Sequence, residues 1–232
     1  MSALVQSLAR KLSRITGVPL YFLHQCQFEL RMACIRFGAP WRHRRVRRLE
    51  KSGHLRLVFG CGETRYPGWL GIDCFRSAAV DLRLDLRRRL PFRDNIVDIC
   101  YSEHFLEHLF PEEVERHFAE VFRVLKPGGT YRVAVPAALR FAQKYLEGDR
   151  EFFALAHPWE SRPFDAVRKI FSWNGEHRTI YDYSQIEHLA RQAGFGQVRE
   201  CRVNSSPDPR LRIDRSEAQR VAETLYAEMV KL

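Results

Sequence analysis

The sequence lacks any apolar run long enough to cross a membrane. The longest early candidate covers only residues 18–23, whereas a transmembrane helix needs about 20 apolar residues. A secretory signal is not expected either, because Arg10, Lys11 and Arg14 fall where its apolar stretch would lie. We therefore expect a cytoplasmic protein.

Signals for cysteine pairing are also missing. The six cysteines lie far apart and include no C-x-x-C pair, which argues against a disulfide framework and against a structural zinc site. Repeats and long low-complexity segments are absent as well. A chain of 232 residues is long enough for one α/β domain with an appendage.

Acidic residues are scarce in one part of the chain. Residues 1–53 contain eleven Lys or Arg and only two Glu, a net charge of +9, whereas the remaining 27 basic and 26 acidic residues leave +1. This change predicts a boundary between a basic N-terminal extension, residues 1–53, and a main domain, residues 54–232. Apolar spacing predicts two helical segments within residues 1–38, followed by a dense basic run at residues 42–48.

Three roles are open for the extension. It can be a helical cap on the main domain, with a solvated basic connector. Its two apolar segments and its positive charge also fit peripheral docking on an anionic membrane surface. Nucleic acid is the least favoured partner: the basic run and the adjacent Trp41 suit phosphates and bases, but no recognisable RNA-binding module accompanies them.

The main domain alternates short apolar segments with helices. A helix is predicted from Pro111 to Leu125, and a capping box at residues 184–187 predicts a second helix that ends at Gly194. Residues 137–183 look irregular and aromatic, and we expect them to be an insertion over the carboxyl ends of the strands. The predicted strands are residues 55–59, 69–72, 80–84, 96–101, 130–135 and 197–203. Such alternation predicts a mostly parallel sheet with covered faces.

Residues suited to a nucleoside ligand follow the first three predicted strands. Gly60 and Gly62 allow close approach of the backbone to a ligand. Asp73 could accept hydrogen bonds from ribose hydroxyls, and Asp85 with Leu86 could meet an adenine. Because open α/β sheets bind ligands beyond the carboxyl ends of their strands, the ordered set indicates such a site, although each residue alone is often only a turn or a cap.

Residues 57–62 and 67–73 resemble the first two motifs of a family of small predicted methyltransferases of the type 11 kind. Further blocks of that family match residues 85–86, 90–95, 102–108, 123–129 and 131–136. The resemblance covers residues 55–203. It implies a class I methyltransferase with a Rossmann-like, mostly parallel sheet, closed by an antiparallel strand at about residues 224–231.

The resemblance implies an S-adenosylmethionine cofactor. The residues implied are Gly60, Cys61 and Gly62 near its amino-acid moiety, Asp73 on the ribose, Asp85 and Leu86 near the adenine, and Ser102, Glu103 and His104 beside the methionine end. The sequence departs from the class at Val58, where many members have an acidic residue. It departs again in the short distance from the glycines to Asp73, which predicts that the first helix is abbreviated or replaced by a loop.

Catalysis would rest first on positioning, since methyl transfer needs an in-line approach to the methyl group. A hydroxyl acceptor would also need a general base. The candidates are His104, His157 and His177, with Glu103 as a further choice, and a structural role fits each histidine equally well.

Residues 104–108 also fit H-x-x-E-H, a zinc-peptidase pattern in which His104 and His108 would share a helix face. The surrounding methyltransferase motifs disfavour that interpretation, so no metal site is predicted. The expected function is methyl transfer to a small-molecule or glycan-type acceptor. The alternatives are a non-catalytic methyltransferase-like binding module and an RNA methyltransferase that uses the basic extension.

Overall fold

The computed structural model describes residues 3–37, 40–51 and 53–232. The strands are β1 Arg56–Phe59, β2 Leu70–Asp73, β3 Leu82–Arg83, β4 Val97–Glu103, β5 Leu125–Pro136, β6 Gln197–Cys201 and β7 Thr224–Val230. The helices are α1 Ala3–Thr16, α2 Leu20–Phe37, α3 Pro40–Glu50, α4 Pro111–Val124, α5 Ala138–Leu146, α6 Arg150–Ala156, α7 Pro163–Ser172, α8 Tyr183–Ala193 and α9 Ala218–Glu223.

The strands form one seven-stranded sheet in the order β3-β2-β1-β4-β5-β7-β6. Strand β7 runs antiparallel to β5 and β6, while the other neighbouring pairs are parallel. This is a Rossmann-like sheet with a final antiparallel strand, as predicted. The strand order reverses between β1 and β4, and a crevice at such a reversal is where open α/β sheets bind ligands.

One face of the sheet is covered by helices. The apolar face of α4, including Val114, Phe118 and Val121, packs in the main core with Leu57 and Phe59 of β1. The helix begins as predicted, because Pro111 occupies its first turn and two glutamates follow, a sequence that favours a helix N-terminus.

Loops cover the opposite face. Val58 and Tyr101 pack there against Trp69 and Leu211, which lie in segments that connect the strands. Between β1 and β4 the chain makes turns and forms no helix, so the prediction that a loop replaces the first helix is confirmed. The loops on this face bring residues 203–217 close to the end of β1.

A buried arginine fixes that loop. Arg132 on β5 is fully buried, and its guanidinium lies 2.5 Å from Asp214 and 2.7 Å from Glu228 of β7. It also donates to the Arg202 carbonyl at 2.8 Å. Because a buried charge is retained only when it is paired, this network holds residues 202–214 against the sheet.

Two local predictions in the second half were wrong. Residues 137–183 are not irregular, because they contain α5, α6 and α7 around a small core that includes Phe141 and Ile170. Helix α8 is capped by Asp182, whose carboxylate accepts from the Gln185 amide at 2.8 Å, rather than by a capping box at Ser184. The Ser184 hydroxyl itself donates to Asp182.

The extension packs on the main domain as helices. Met32 and Ile35 of α2 are buried, and Val46 of α3 joins the main core; the predicted basic run lies within α3. The side chain of Trp41 and the predicted break at Gly38 fall outside the described parts. Over the described ranges, none of the helices combines the length and apolar character needed to cross a membrane.

Candidate functional site

The turn after β1 needs glycine at two positions. Gly60 and Gly62 have φ of 64° and 55°, in the left-handed region that favours glycine. A Cβ on Gly60 would lie 2.7 Å from the Phe105 side chain, whereas a Cβ on Gly62 would meet nothing within 4 Å. Gly62 therefore leaves open space beside the backbone, which a ligand could fill.

Asp73 holds this glycine turn from the end of β2. One carboxylate oxygen accepts from the Gly62 amide at 2.9 Å, and the other accepts from the Phe75 amide at 2.9 Å. Each carboxylate oxygen has a second acceptor position. Asp73 can therefore accept two further hydrogen bonds, which suits the paired hydroxyls of a ribose.

A cavity of about 200 Å³ lies under the glycine turn. Ligand pockets usually measure about 300–1,000 Å³, so this one has room for part of a nucleoside-bearing cofactor. Its lining contains two cations and two carboxylates, a donor set that matches an amino-acid zwitterion. The lining residues are Val58, Gly60, Cys61, Gly62, Glu63, Thr64, Tyr66, Glu103, His104, Arg215 and Arg220.

Glu103 is a carboxylate of the cavity that has both hydrogen-bond and ion-pair partners. The hydroxyls of Tyr66 and Tyr101 donate to it at 3.1 and 3.2 Å, and Nε of Arg220 lies 3.1 Å from its other oxygen. Burial raises the pKa of Glu103, and the positive charges of Arg220 and Arg215 oppose that rise. The carboxylate is thus available to a cationic group while its own charge is balanced.

His104 also lines the cavity, but both ring nitrogens are engaged. Nδ1 lies 3.0 Å from Arg220, which can only donate, so Nε2 carries the proton and donates to the Thr224 hydroxyl at 2.9 Å. Burial, together with the charge of Arg220, lowers the pKa of His104 well below its usual value. His104 could act as a general base only after Arg220 moves away.

The other two predicted bases lie elsewhere. His157 is buried beside Phe141 and Trp159, with Nε2 3.4 Å from Glu223. His177 packs against His108, with ring centroids 5.2 Å apart. Of the three predicted histidines, only His104 is brought together with the glycine turn.

Asp85 is occupied by arginines. Its carboxylate accepts from Arg36 at 2.9 Å and from the side chain of Arg87 at 2.8 and 3.1 Å, and the Arg87 amide lies at 3.3 Å. Burial would raise the pKa of Asp85, but the hydrogen bonds and charge of Arg87 outweigh it and lower the pKa. Four donors fill the acceptor positions, so the predicted contact with adenine requires one arginine to leave.

Three other predicted cofactor residues direct their side chains into the protein. Leu86 lies in the main core, and the Ser102 hydroxyl is buried 2.8 Å from that of Tyr131. The thiol of Cys61 lies in the small core on the loop-covered face of the sheet, together with Val58 and Trp69, where burial raises its pKa to about 12. In this conformation Cys61 can contact a ligand chiefly through its backbone.

Sequence reasoning missed Arg215 and Arg220. Both residues reach the cavity from the segment before β7. Arg215 follows Asp214, which the buried Arg132 holds in place. Neither arginine belongs to a recognisable motif, so only the topology of the sheet identifies them.

Part of the chain is similar in sequence to known proteins. Residues 57–133 match a family model described as Methyltransferase domain. A protein of Mycolicibacterium smegmatis, named as a probable S-adenosylmethionine-dependent methyltransferase, is 34% identical over 67 residues. The match covers 29% of this chain and 25% of that protein, so the chain spans about a quarter of the length of this curated relative.

Two solved structures are similar in part. A SAM-dependent methyltransferase from Thermotoga maritima has a TM-score of 0.49 and 18% identity, covering 77% of this chain and 82% of its own. Phosphoethanolamine N-methyltransferase 2 from Haemonchus contortus, in complex with S-adenosyl-L-methionine, has a TM-score of 0.44 and 15% identity, covering 77% and 49%. The family match contains the glycine turn, Asp73 and Glu103, so these residues of the site lie in the part of the chain that is similar to methyltransferase domains.

Proposed function

We propose that this chain is an S-adenosylmethionine-dependent methyltransferase that acts on a small-molecule or glycan-type acceptor. The observation that carries the proposal is the left-handed glycine turn, with Asp73 bonded to the amide of Gly62. When bound, the cofactor supplies an electrophilic methyl group. The protein supplies the pocket that orients it.

Each part of the cofactor has a matching group in the cavity. The guanidinium groups of Arg215 and Arg220 suit its carboxylate, and Glu103 suits a positively charged group. Asp73 suits the ribose hydroxyls. The adenine belongs at the end of β3, where Asp85 is now held by Arg36, so full binding requires that ion pair to open.

The acceptor would enter at the carboxyl ends of β4 and β5. Residues 137–183 lie over this edge, because the amides of Arg178 and Thr179 donate to the Glu107 carbonyl at 2.6 and 3.3 Å. This cover supports a small acceptor over a large one. The preference for a glycan rests on the resemblance to small methyltransferases.

A binding module without turnover is the second candidate. The engaged nitrogens of His104 favour it, because a hydroxyl acceptor would find no free histidine base in the cavity. A methylation assay with candidate acceptors separates the two candidates once cofactor binding is established.

The extension would place the enzyme at an anionic membrane surface. Helix α1 exposes Leu8, Leu12 and Ile15 along the same helix that carries Lys11 and Arg14. Apolar and basic residues together favour binding to anionic lipid.

Vesicle co-sedimentation tests this part of the proposal. The protein should sediment with phosphatidylserine vesicles and not with phosphatidylcholine vesicles, and Leu12→Asp should weaken binding. Leu155→Asp is the matched control, because Leu155 is 48% exposed, as Leu12 is, but lies on α6. Salt-sensitive binding to RNA without binding to vesicles would contradict the assignment.

Calorimetric titration with S-adenosylhomocysteine tests the central site. We expect micromolar binding by the wild type and a loss of about 100-fold or more in Asp73→Ala, because the variant cannot accept the two hydrogen bonds from the ribose hydroxyls, and bonds to a charged group are worth about 1.5–3 kcal/mol each. Asp98→Ala is the matched control: Asp98 also accepts from a backbone amide, that of Leu55, and pairs with Lys126 at the opposite end of β4. Equal affinities in wild type and Asp73→Ala would refute the proposed site.

A further inference from the structure

The carboxylate of Glu107 is buried without a hydrogen-bond partner. Glu107 is 1% exposed, and neither of its oxygens has a partner among the described residues. The Nδ1 atom of His104 lies 3.8 Å away, but it already accepts from Arg220 and so carries no proton for Glu107. An unpartnered buried carboxylate is costly and calls for an explanation.

Two imidazole rings lie beside this carboxylate. His108 follows Glu107 directly, and His177 reaches it from the end of the 137–183 segment. One ligand atom from each of the three residues can be chosen so that all lie within 4.8 Å of one another. The cluster therefore joins the end of β4 to a segment about 70 residues further along the chain.

Backbone contacts set the tautomers of both histidines. Nδ1 of His108 lies 3.2 Å from the Glu176 carbonyl, and Nδ1 of His177 lies 2.7 Å from the Ile170 carbonyl. A carbonyl only accepts, so each Nδ1 carries the proton and each Nε2 keeps a lone pair. Metal-binding histidines show this arrangement, in which the second nitrogen donates to a carbonyl.

We propose that Glu107, His108 and His177 bind one zinc-type divalent cation. Two imidazole nitrogens and one carboxylate are a donor set of zinc sites that keep an open fourth position. Tetrahedral ligands at about 2.0–2.2 Å from the ion stand roughly 3.4 Å apart, so no pair of these atoms, which lie within 4.8 Å of one another, needs to close by more than about 1.4 Å. His108 is exposed, which leaves room for a water molecule or another small ligand on the ion.

This trio differs from the H-x-x-E-H pattern of the sequence. Only Leu106–His108 form a short 3-10 turn, and His104 has a left-handed φ of 47°. His104 and His108 therefore do not share a helix face, and the third ligand is His177 instead. The zinc-peptidase arrangement is not present.

The ion would tie the 137–183 segment to the sheet. The amides of Arg178 and Thr179 already donate to the Glu107 carbonyl, so the ion adds a side-chain link between the same two segments. None of the three ligands lines the cavity under the glycine turn. The proposed metal ligands are therefore different residues from those of the proposed methyl-donor site, so the two sites can be tested separately.

Metal titration of the tag-free full-length chain, after treatment with a chelator, tests the proposal. We expect one Zn²⁺ per chain by calorimetry, visible absorption bands of tetrahedral Co²⁺, and a higher melting temperature with Zn²⁺. Glu107→Gln and His177→Ala should each weaken binding by more than the roughly 10–100-fold lost when a supporting residue of a metal site is changed. His188→Ala, an exposed histidine on α8, should bind like the wild type.

His108→Ala keeps the test decisive if a buried variant fails to fold, because His108 is exposed. A folded His108→Ala protein with wild-type affinity for Zn²⁺ would overturn the proposal. So would a folded wild type that binds neither Zn²⁺ nor Co²⁺ with a stoichiometry of one.

Discussion

Two carboxylates four residues apart at the end of β4 have opposite surroundings. Glu103 receives two tyrosine hydroxyls and pairs with Arg220, whereas Glu107 has no hydrogen-bond partner in the described structure. Burial raises the pKa of both, and that of Glu107 reaches about 8. The protein thus balances the charge in the cavity itself, whereas Glu107 is left for a partner from outside.

Arg220 explains why the two surroundings differ. Its guanidinium contacts Glu103 at 3.1 Å, Glu223 at 2.8 Å and the ring of His104 at 3.0 Å. These contacts use its donors on the cavity side. Glu107 therefore gains only the longer-range attraction of the same charge.

Removing that cation should have the largest effect. Arg220→Ala leaves Glu103 and Glu223 without their positive partner, and breaking a buried ion pair costs about 3–5 kcal/mol. Urea unfolding should show this loss, and affinity for S-adenosylhomocysteine should fall as well. Arg191→Ala, which breaks an exposed pair with Glu187 on α8, should cost about 0.5 kcal/mol or less. Similar stabilities of the two variants would show that Arg220 is not the organising charge.

Replacing each glutamate with glutamine should change the free energy of unfolding differently at the two positions. Glu103→Gln loses hydrogen bonds to a charged group and should cost about 2 kcal/mol of unfolding free energy. In chelator-treated protein at pH 7, Glu107→Gln should cost less than about 1 kcal/mol or stabilise, because burial raises the pKa of Glu107 to about 8; the carboxyl is then already mostly neutral, and glutamine removes only the cost of its charged fraction. Parallel urea titrations measure both. A larger loss for Glu107→Gln would mean that Glu107 has a partner within the protein.

The smallest expected effect concerns the adenine end of the proposed cofactor site. Arg36→Ala frees one acceptor position of Asp85, which Arg87 still holds. Because the Arg36 side chain is 37% exposed and a solvent-exposed ion pair is worth about 0–1 kcal/mol, affinity for S-adenosylhomocysteine should rise by up to about fivefold. Arg65→Ala is a suitable control, since Arg65 is exposed and pairs with Asp81 rather than Asp85. Weaker binding by Arg36→Ala would place Arg36 among the cofactor contacts instead.

Features within a short stretch of sequence were predictable. The glycine turn and Asp73 lie within 14 residues of each other, and this short spacing predicted the loop, while the apolar segment at residues 55–59 predicted its position at a strand end. The parallel sheet followed from the alternation of apolar segments and helices, whereas the closing strand β7 followed from the family resemblance alone. Local turn chemistry and the resemblance therefore predicted the core of the candidate site.

Features that depend on distant pairing were not predictable. Arg215 and Arg220 reach the cavity because Arg132 holds Asp214 across 82 positions in the chain. His177 meets His108 only through the helices of the 137–183 segment. The exposed aromatic side chains of these helices obscured the helical pattern. The contact between Arg36 and Asp85 depends on how α2 packs, which composition alone does not predict.

Hydrogen exchange with and without S-adenosylhomocysteine tests whether the glycine turn and Asp73 bind the cofactor. We expect slower exchange on binding in peptides that contain residues 60–64 and 73–75 and in the segment around Arg215 and Arg220. Peptides at the opposite end of the sheet, around Asp98, should be unchanged. Binding that leaves residues 60–64 and 73–75 unprotected, or no binding by the folded chain, would refute the proposed site.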